Sequence, residues 1–321
     1  MKRLIPTKMI PNSLWNRDNS VLHLPPQLIS SWTMLLNKYG LLDEAMTQAP
    51  DGFIGGMSKE DTDKHLAWRF TGSSARVMLS MLDPFEDLNE ISNAFARTFS
   101  GNRVFLADLP CGSGAASMSI LSVLCELRKQ NRVPRMPLEV MIVGGEISKY
   151  AQNYAKEALE SLIKDLEEQA ITIKFEVMDW NVCDSFSNSD LIKHLTLKSQ
   201  NCATKLLVLA NFSGFLHKEN KWGAAKKQFD ELFRHSREEN SIALWIEPNT
   251  NDVTNTSGGF MQRVSKWFNA LFSPFIMEES KPGSQIDYAT AMANAKHPLI
   301  EDVFRVTLVV RRLDFPLQRK S

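Results

Sequence analysis

Three acidic residues end short apolar runs in this chain, and they are the side chains best suited to bind a polar ligand. The first is Asp108, which ends the run 104–107 and leads into a turn at 110–114. Gly112 and Gly114 in that turn have no Cβ, so a ligand can approach the backbone closely. The apolar helix that follows points its free N–H groups at such a ligand. This segment predicts a nucleotide-type ligand.

Glu146 ends the second apolar run and Asp179 ends the third. A carboxylate has two acceptor oxygens, and it can therefore bind two neighbouring hydroxyls of a sugar. Glu247 ends a later run and could contact a substrate or act as a general base. A loop-capping role for Glu247 is equally consistent with the pattern. His217 titrates near neutral pH, although a lone surface histidine is the commoner outcome.

The acids are separated by alternating strand and helix patterns. Short runs rich in Val, Ile, Leu and Phe are typical of strands buried on both faces. Strands are predicted at 103–108, 138–145, 171–178, 204–210 and 241–247, and helices at 114–129, 149–169, 188–198 and 221–237. This alternation predicts a parallel sheet covered by helices, with ligands bound beyond the carboxyl ends of the strands.

The two ends of the chain have a different character. Residues 1–100 show helical spacing and no convincing strand run, so they are predicted to form a helical extension or cap, with the α/β domain at 101–321. One of its helices is predicted to start at Asp83-Pro84. In the C-terminal part, strands are predicted at 275–279 and 303–312 and a helix at 259–271. The segment 281–302 is predicted to be a flexible loop or lid.

Composition limits the functional classes. The 37 basic and 37 acidic residues cancel, so the whole molecule has no general attraction to nucleic acid or anionic lipid. No signal peptide and no apolar run of roughly 20 residues is recognised, and we expect no membrane association. The four cysteines are predicted to be reduced thiols of a cytoplasmic protein. Since the six histidines are scattered, no metal site is expected.

Residues 102–312 resemble the class I, Rossmann-like S-adenosylmethionine-dependent methyltransferases, because several motifs occur in the family's order. The resemblance implies that Asp108 faces the methionine ammonium, that Glu146 binds both ribose hydroxyls and that Asp179 accepts the adenine amino group. It implies a cofactor site formed by Asp108, Pro110, Gly112, Ser113, Gly114, Glu146, Ile147, Asp179, Trp180, Asn211 and Phe212. It also implies a doubly wound, mostly parallel seven-stranded sheet with an antiparallel C-terminal strand.

The chain departs from the family in two places. Pro110 stands where the family often has its first glycine. The fourth strand ends in Asn211-Phe-Ser-Gly214, without the prolines found in many enzymes that methylate base amines. Neither base N-methylation, ribose methylation nor C5 chemistry with a cysteine nucleophile is supported. Asn211, Ser213, His217 and Glu247 are weak candidates for a catalytic role.

Two other functions compete with methyl transfer. The first is a dinucleotide-dependent oxidoreductase, which also binds ribose through an acid. Two features disfavour it: Ser117 stands where the third glycine of the G-x-G-x-x-G motif should fall, and the negative charge of Asp108 suits an ammonium better than a pyrophosphate. A methyltransferase-like scaffold or regulatory subunit without activity remains an alternative. The acceptor could be a small molecule, a protein or RNA. The helical N-terminal part could contact partner chains.

Overall fold

A mixed nine-stranded sheet forms the centre of the molecule in the computed structural model, which describes residues 3–50, 53, 55–236, 240–249, 266, 275–276, 285–314 and 318–319. The strands are β1 (Trp15–Asn16), β2 (Val21–Leu22), β3 (Arg103–Asp108), β4 (Leu138–Glu146), β5 (Ile171–Asp179), β6 (Thr204–Ala210), β7 (Ser241–Glu247), β8 (Phe275–Ile276), β9 (Gln285–Lys296), β10 (Val303–Asp314) and β11 (Gln318–Arg319). The helices are α1 (Pro26–Tyr39), α2 (Leu42–Ala45), α3 (Lys59–Trp68), α4 (Phe70–Leu82), α5 (Asn89–Thr98), α6 (Ala115–Lys129), α7 (Lys149–Glu167), α8 (Ser185–Ser199), α9 (Ser213–Lys218) and α10 (Trp222–His235).

The strand order is β1-β2-β9-β10-β7-β6-β3-β4-β5. From the central strand β3 the chain moves outward through β4 and β5, then returns to β6 and β7 on the other side, and all these pairs are parallel. Strand β10 pairs antiparallel with both β7 and β9. The predicted α/β, doubly wound and mostly parallel fold with an antiparallel C-terminal strand is confirmed, and the sheet has nine strands rather than the predicted seven, because β1 and β2 extend its edge. The order reverses beside β3, and such a reversal is where ligands bind in open α/β sheets.

Helices cover both faces of the sheet. On one face α1, α4, α6 and α7 pack together, with Trp32, Phe70 and Tyr154 in a core that continues into β3 and β4. On the other face α8, α9 and α10 form a second core around Phe229 and Trp245. The apolar stripes of the helices thus find partners on a sheet that is buried on both sides.

The first 100 residues share this core and extend the sheet. Strand β2 pairs in parallel with β9 at the sheet edge, and β1 pairs with β2. The expectation that this part contains no strand is therefore wrong. Each strand has only two residues, too few for a periodic pattern to reveal. The helix predicted from Asp83 begins only at Asn89, because Asp83 has a left-handed backbone (φ 43°) that ends α4.

The predicted loop or lid at 281–302 is wrong for residues 285–296, which form strand β9. Ala291, Ala293 and Ala295 are buried and alternate with exposed residues, as in a half-buried strand. Alanine has a low strand propensity, which hid this alternation. Of the strand predicted at 275–279, residues 275–276 form β8, which pairs with β11 outside the main sheet, and 277–279 lie outside the described residues. The helix predicted at 259–271 lies, except for residue 266, outside the described residues.

In the described part of the chain, every helix is too short or too polar to span a lipid bilayer.

Candidate functional site

A large cavity opens at the carboxyl ends of β3, β4 and β6, next to the point where the strand order reverses. Its empty volume, counted with its open mouth, is about 1130 Å³. The walls come from the turn 110–116, the end of β4 with the start of α7, the segments 180–182 and 210–215, and the N-terminal segment 55–73.

Asp108 lies at the end of β3 and lines the cavity, although its side chain is almost entirely buried. Its Oδ2 atom accepts hydrogen bonds from the backbone N–H of Ser117 (3.0 Å) and from the Ser117 hydroxyl (2.7 Å). Its Oδ1 atom has no hydrogen-bond partner among the described residues. Burial raises the pKa of Asp108 to about 6, against the effect of the Ser117 donors and with a smaller contribution from the charge of Glu146. A buried polar atom without a partner is rare, and it marks a place for a donor or a cation.

Glu146 ends β4 and faces the same cavity from the neighbouring strand. The backbone N–H of Gly112 donates to its Oε2 atom (3.0 Å), and the backbone N–H of Ser148 donates to its Oε1 atom (2.8 Å). These bonds hold the carboxylate in place, and each oxygen keeps a second lone pair for a ligand hydroxyl. Burial raises the pKa of Glu146, and the backbone donors oppose that shift.

Glycines bring the segments around these acids together. Gly112 and Gly114 have φ values of 52° and 86°, which favour glycine. A Cβ on Gly114 would lie 3.3 Å from the Cα atom of Ala155 in α7. A Cβ on Gly145 would lie 2.7 Å from Cδ2 of Leu109. Gly145 is not among the predicted site residues, although its position beside Glu146 is a usable signal.

The structure brings together most of the residues predicted for cofactor binding. The cavity wall contains Asp108, Pro110, Gly112, Ser113, Glu146, Ile147, Trp180, Asn211 and Phe212. Gly114 and Asp179 are not in the wall. Asp179 is exposed at the end of β5, while Asn181 and Val182 line the cavity just after it. The predicted contact between Asp179 and an adenine amino group therefore stays a prediction, and Asn181 is the nearer polar side chain.

The weak catalytic candidates lie in different surroundings. Asn211 lines the cavity, whereas Ser213, His217 and Glu247 do not. Glu247 is completely buried and accepts hydrogen bonds from the backbone N–H groups of Phe212 (3.0 Å) and Ser213 (2.9 Å) at the start of α9. The Ser213 hydroxyl and the indole N–H of Trp245 also donate to it, each at 2.7 Å. This geometry is that of a capping acid, and His217 is exposed at the surface.

The N-terminal extension supplies one wall that the sequence analysis missed. Thr62, His65, Phe70 and Ser73 of α3 and α4 line the cavity. The Thr62 hydroxyl lies 3.0 Å from the hydroxyl of Ser148, which itself caps α7 by accepting from the N–H of Ala151. Ser58 caps the start of α3, since its side chain accepts a hydrogen bond from the N–H of Asp61. Nothing in the sequence indicated which face of that helix meets the domain.

His65 is the titratable side chain that α3 places in this wall. Burial, together with the nearby charges of Arg69 and Arg76, lowers the pKa of His65 to about 4. The imidazole is therefore neutral at physiological pH. Over the described residues, no group of histidine, cysteine or acidic side chains is arranged to hold a metal ion.

No family model and no curated protein sequence matches the chain. Several solved structures that match the chain are methyltransferases. A precorrin-6y C5,15-methyltransferase from Geobacter metallireducens is 9% identical, with a TM-score of 0.32, and the match covers 70% of this chain and 89% of that one. A putative class I S-adenosylmethionine-dependent methyltransferase from Listeria monocytogenes is 11% identical, with a TM-score of 0.29 and coverage of 90% and 86%.

Another similar structure is the modification subunit of a putative type I restriction enzyme from Vibrio vulnificus, 12% identical with a TM-score of 0.36. That match covers 89% of this chain and 48% of the subunit. The fold is Rossmann-like. Because these identities and TM-scores are low, that assignment depends on the strand order described above.

Proposed function

We propose that this protein is an S-adenosylmethionine-dependent methyltransferase. The observation that carries the proposal is the pair of buried carboxylates, Asp108 and Glu146, at the ends of adjacent strands on one cavity. Asp108 keeps one oxygen without a partner in the part of the chain that the structure describes, which suits a cationic ammonium. Glu146 is oriented by two backbone N–H groups, which suits a diol. S-adenosylmethionine carries both groups.

The residues present fit this cofactor. Asp108 would hold the ammonium, and Glu146 would accept hydrogen bonds from the ribose hydroxyls. The left-handed turn at Gly112 and Gly114 keeps the backbone close to the ligand without a Cβ in the way. Ile147 and Trp180 offer apolar surface to the base. The third acid, Asp179, is proposed for the adenine amino group on the family resemblance alone.

When bound, the cofactor supplies an electrophilic methyl group that needs no further activation. The chain would then act mainly by orienting a nucleophile against that methyl and by excluding water. Asn211 and Phe212, at the end of β6, stand one strand away from Asp108. They are the wall residues proposed to position the acceptor.

The competing hypothesis is a cofactor-binding scaffold without activity. Glu247 caps α9 with all its donors inside the fold, so it is not a free general base. Methyl transfer to a nucleophile that is already deprotonated does not require one, since the sulfonium is activated. An assay for transfer therefore separates the two hypotheses better than the search for a base.

The cofactor site can be tested by isothermal titration with S-adenosylhomocysteine. We expect the wild type to bind and Glu146→Ala to lose at least tenfold in affinity, because a charged acceptor contributes about 1.5–3 kcal/mol. Glu160→Ala is the matched control, since Glu160 lies exposed on α7. No binding by the wild type, or full binding by Glu146→Ala, would refute the site assignment.

Activity is tested by transfer of tritium from labelled S-adenosylmethionine into separate pools of RNA, protein and small molecules. The proposal expects label in one pool with the wild type and at least tenfold less with Glu146→Ala. Tight binding of the cofactor without transfer to any pool would favour the scaffold.

A further inference from the structure

Two arginines of the N-terminal extension lie next to residues of the cavity wall: Arg76 contacts Asn211, and the charge of Arg69 acts on His65. Arg76 is half-buried in α4, and its Nε–H donates to Oδ1 of Asn211 at 2.5 Å. Asn211 lines the cavity, as do Phe70 and Ser73. Because residues three apart share a face of a helix, Arg76 continues the face that Phe70 and Ser73 present to the cavity.

Arg69 lies at the junction of α3 and α4 and adds a second positive charge. Its Nη2 atom donates to the carbonyl of Phe53 at 2.7 Å, and its guanidinium lies 5.9 Å from the centre of the Phe53 ring. The charge of Arg69 is close enough to disfavour the charge on Arg76. Burial lowers the pKa of Arg76 to about 10; Glu247 opposes this shift and Arg69 adds to it.

Positive charge exceeds negative charge at this end of the cavity. Glu247 is the acid whose charge acts on Arg76, but it already accepts from four donors inside the fold. Within the described residues, neither Arg69 nor Arg76 forms an ion pair. A guanidinium partly removed from water and not paired with a carboxylate is costly, and an anionic ligand would supply that partner.

The position of Arg76 across the sheet indicates which ligand it serves. Strands β4, β3, β6 and β7 are neighbours in that order. Glu146, Asp108 and Glu247 end β4, β3 and β7, and Asn211 directly follows β6. Adjacent strands lie about 4.8 Å apart. The proposed cofactor extends from Glu146 to Asp108, so Arg76 stands beyond its methionine end, where the methyl acceptor must lie.

The groups at this end are hydrogen-bond donors. Since Oδ1 of Asn211 is occupied by Arg76, the free half of the Asn211 amide is its NH₂ group. Arg76 keeps both terminal nitrogens without a hydrogen-bond partner among the described residues, and these form the planar fork that matches a carboxylate or phosphate. The complementary ligand presents oxygen acceptors and negative charge.

We infer that the methyl acceptor is a small molecule with a carboxylate or phosphate group, bound by Arg76 and Arg69 next to Asn211. This inference rests on the proposed function. A nucleic acid is the less suitable anion, because its backbone is contacted by a stripe of basic residues, whereas here two neighbouring arginines lie next to one wall residue of the cavity, in a chain without net charge.

The test uses full-length protein saturated with S-adenosylhomocysteine and titrated with inorganic phosphate, or with acetate, at constant ionic strength maintained with sodium chloride. Binding is followed by the shift in thermal midpoint. We expect phosphate or acetate to stabilise the wild type and Arg135→Met, and Arg76→Met to bind the same anion at least tenfold more weakly. Arg135 is a matched control, because it is exposed just before β4, at the opposite end of the strands.

Arg76→Lys keeps the charge but loses the fork, and we expect its anion affinity to lie between those of the wild type and Arg76→Met. The anion with the larger effect identifies the acceptor group as phosphate or carboxylate. Affinity for S-adenosylhomocysteine should stay within about twofold of the wild type in both variants, as expected of a site that leaves the cofactor contacts intact.

Three results would overturn the inference. The first is a wild type that neither phosphate nor acetate stabilises. The second is an Arg76→Met protein that loses affinity for S-adenosylhomocysteine but not for the anion, since the arginine would then serve the cofactor's own carboxylate. The third is an RNA oligonucleotide that binds tightly and equally well to Arg76→Met. If the wild type does not bind S-adenosylhomocysteine at all, the proposed function fails, while the anion titration of the unliganded protein can still be read.

Discussion

Protonation of Asp108 should control how tightly the protein binds S-adenosylhomocysteine. The pKa of Asp108 is raised to about 6 by burial, and only the ionised carboxylate attracts an ammonium. With that pKa, the ionised fraction is about 9% at pH 5 and about 91% at pH 7. Affinity should therefore rise about tenfold between these pH values, which corresponds to about 1.4 kcal/mol.

The assay is isothermal titration at pH 5, 6 and 7 in pairs of buffers that differ in ionisation enthalpy. At pH 6 the difference in heat should report the release of about half a proton for each ligand bound, since the ligand selects the ionised form. Burial also raises the pKa of Glu146, so a variant must isolate Asp108. In Asp108→Asn we expect weaker binding and no tenfold rise.

Ionisation of Asp108 should strengthen ligand binding but lower the stability of the unliganded protein, so the pH dependence of unfolding is a second measurement. Because the pKa of Asp108 is about 6 in the fold and 3.8 in the unfolded chain, its contribution to stability is complete below pH 3.8 and is lost as pH rises through 6. Burying the charge then costs up to about 3 kcal/mol at pH 7. Asp108→Asn avoids this cost but weakens the hydrogen bonds from Ser117. We therefore expect its free energy of unfolding at pH 7 to exceed that of the wild type by about 1–2 kcal/mol, measured by denaturant unfolding.

Two results would refute this reasoning. One is a wild-type affinity that does not change between pH 5 and pH 7. The other is an Asp108→Asn protein that binds S-adenosylhomocysteine as tightly as the wild type at pH 7. Either result would mean that the oxygen of Asp108 without a partner does not face the cationic end of the ligand.

Two further predictions concern stability and are checked by urea unfolding. Glu247→Ala leaves four buried donors without an acceptor and should lose about 3–5 kcal/mol, whereas Glu247→Gln, which keeps an acceptor oxygen, should lose less than half of that. Equal losses would contradict the capping role. Gly145→Ala places a methyl group 2.7 Å from Leu109 and should lose about 1–3 kcal/mol. The control is Gly223→Ala, where the new methyl group would have no atom within 4 Å, and its free energy of unfolding should rise by about 0.5–1 kcal/mol. If Gly223→Ala lost as much stability as Gly145→Ala, the contact with Leu109 would not explain the loss.

Periodicity predicted the central part of the fold well. The strands β3 to β7 and the helix α7 were recognised because long, buried elements repeat their apolar residues with a regular spacing. The strands β1, β2 and β9 were missed for two different reasons. Two residues are too few to show a period, and the buried positions of β9 are occupied by alanine.

The candidate site was predicted less evenly. Asp108 and Glu146 were found because each ends a predicted strand, and parallel strands bring such ends to one edge of the sheet. By the same rule Asp179 was expected in the cavity, but its side chain is exposed, because β5 is the outermost strand of the sheet and the cavity wall there is formed by Trp180, Asn181 and Val182. Glu247 also ends a strand, and its partners show a capping role that single-residue reasoning left undecided.

The sequence by itself determined the alternation of strands and helices, the glycine turn and the two acids beside it, because these features depend on local spacing and backbone freedom. Only the tertiary structure decided that α3 and α4 form a wall of the cavity and that Arg76 meets Asn211. Those residues are 135 positions apart in the chain. No local pattern encodes such a contact, because it is set by the packing of the N-terminal helices against α6 and α7.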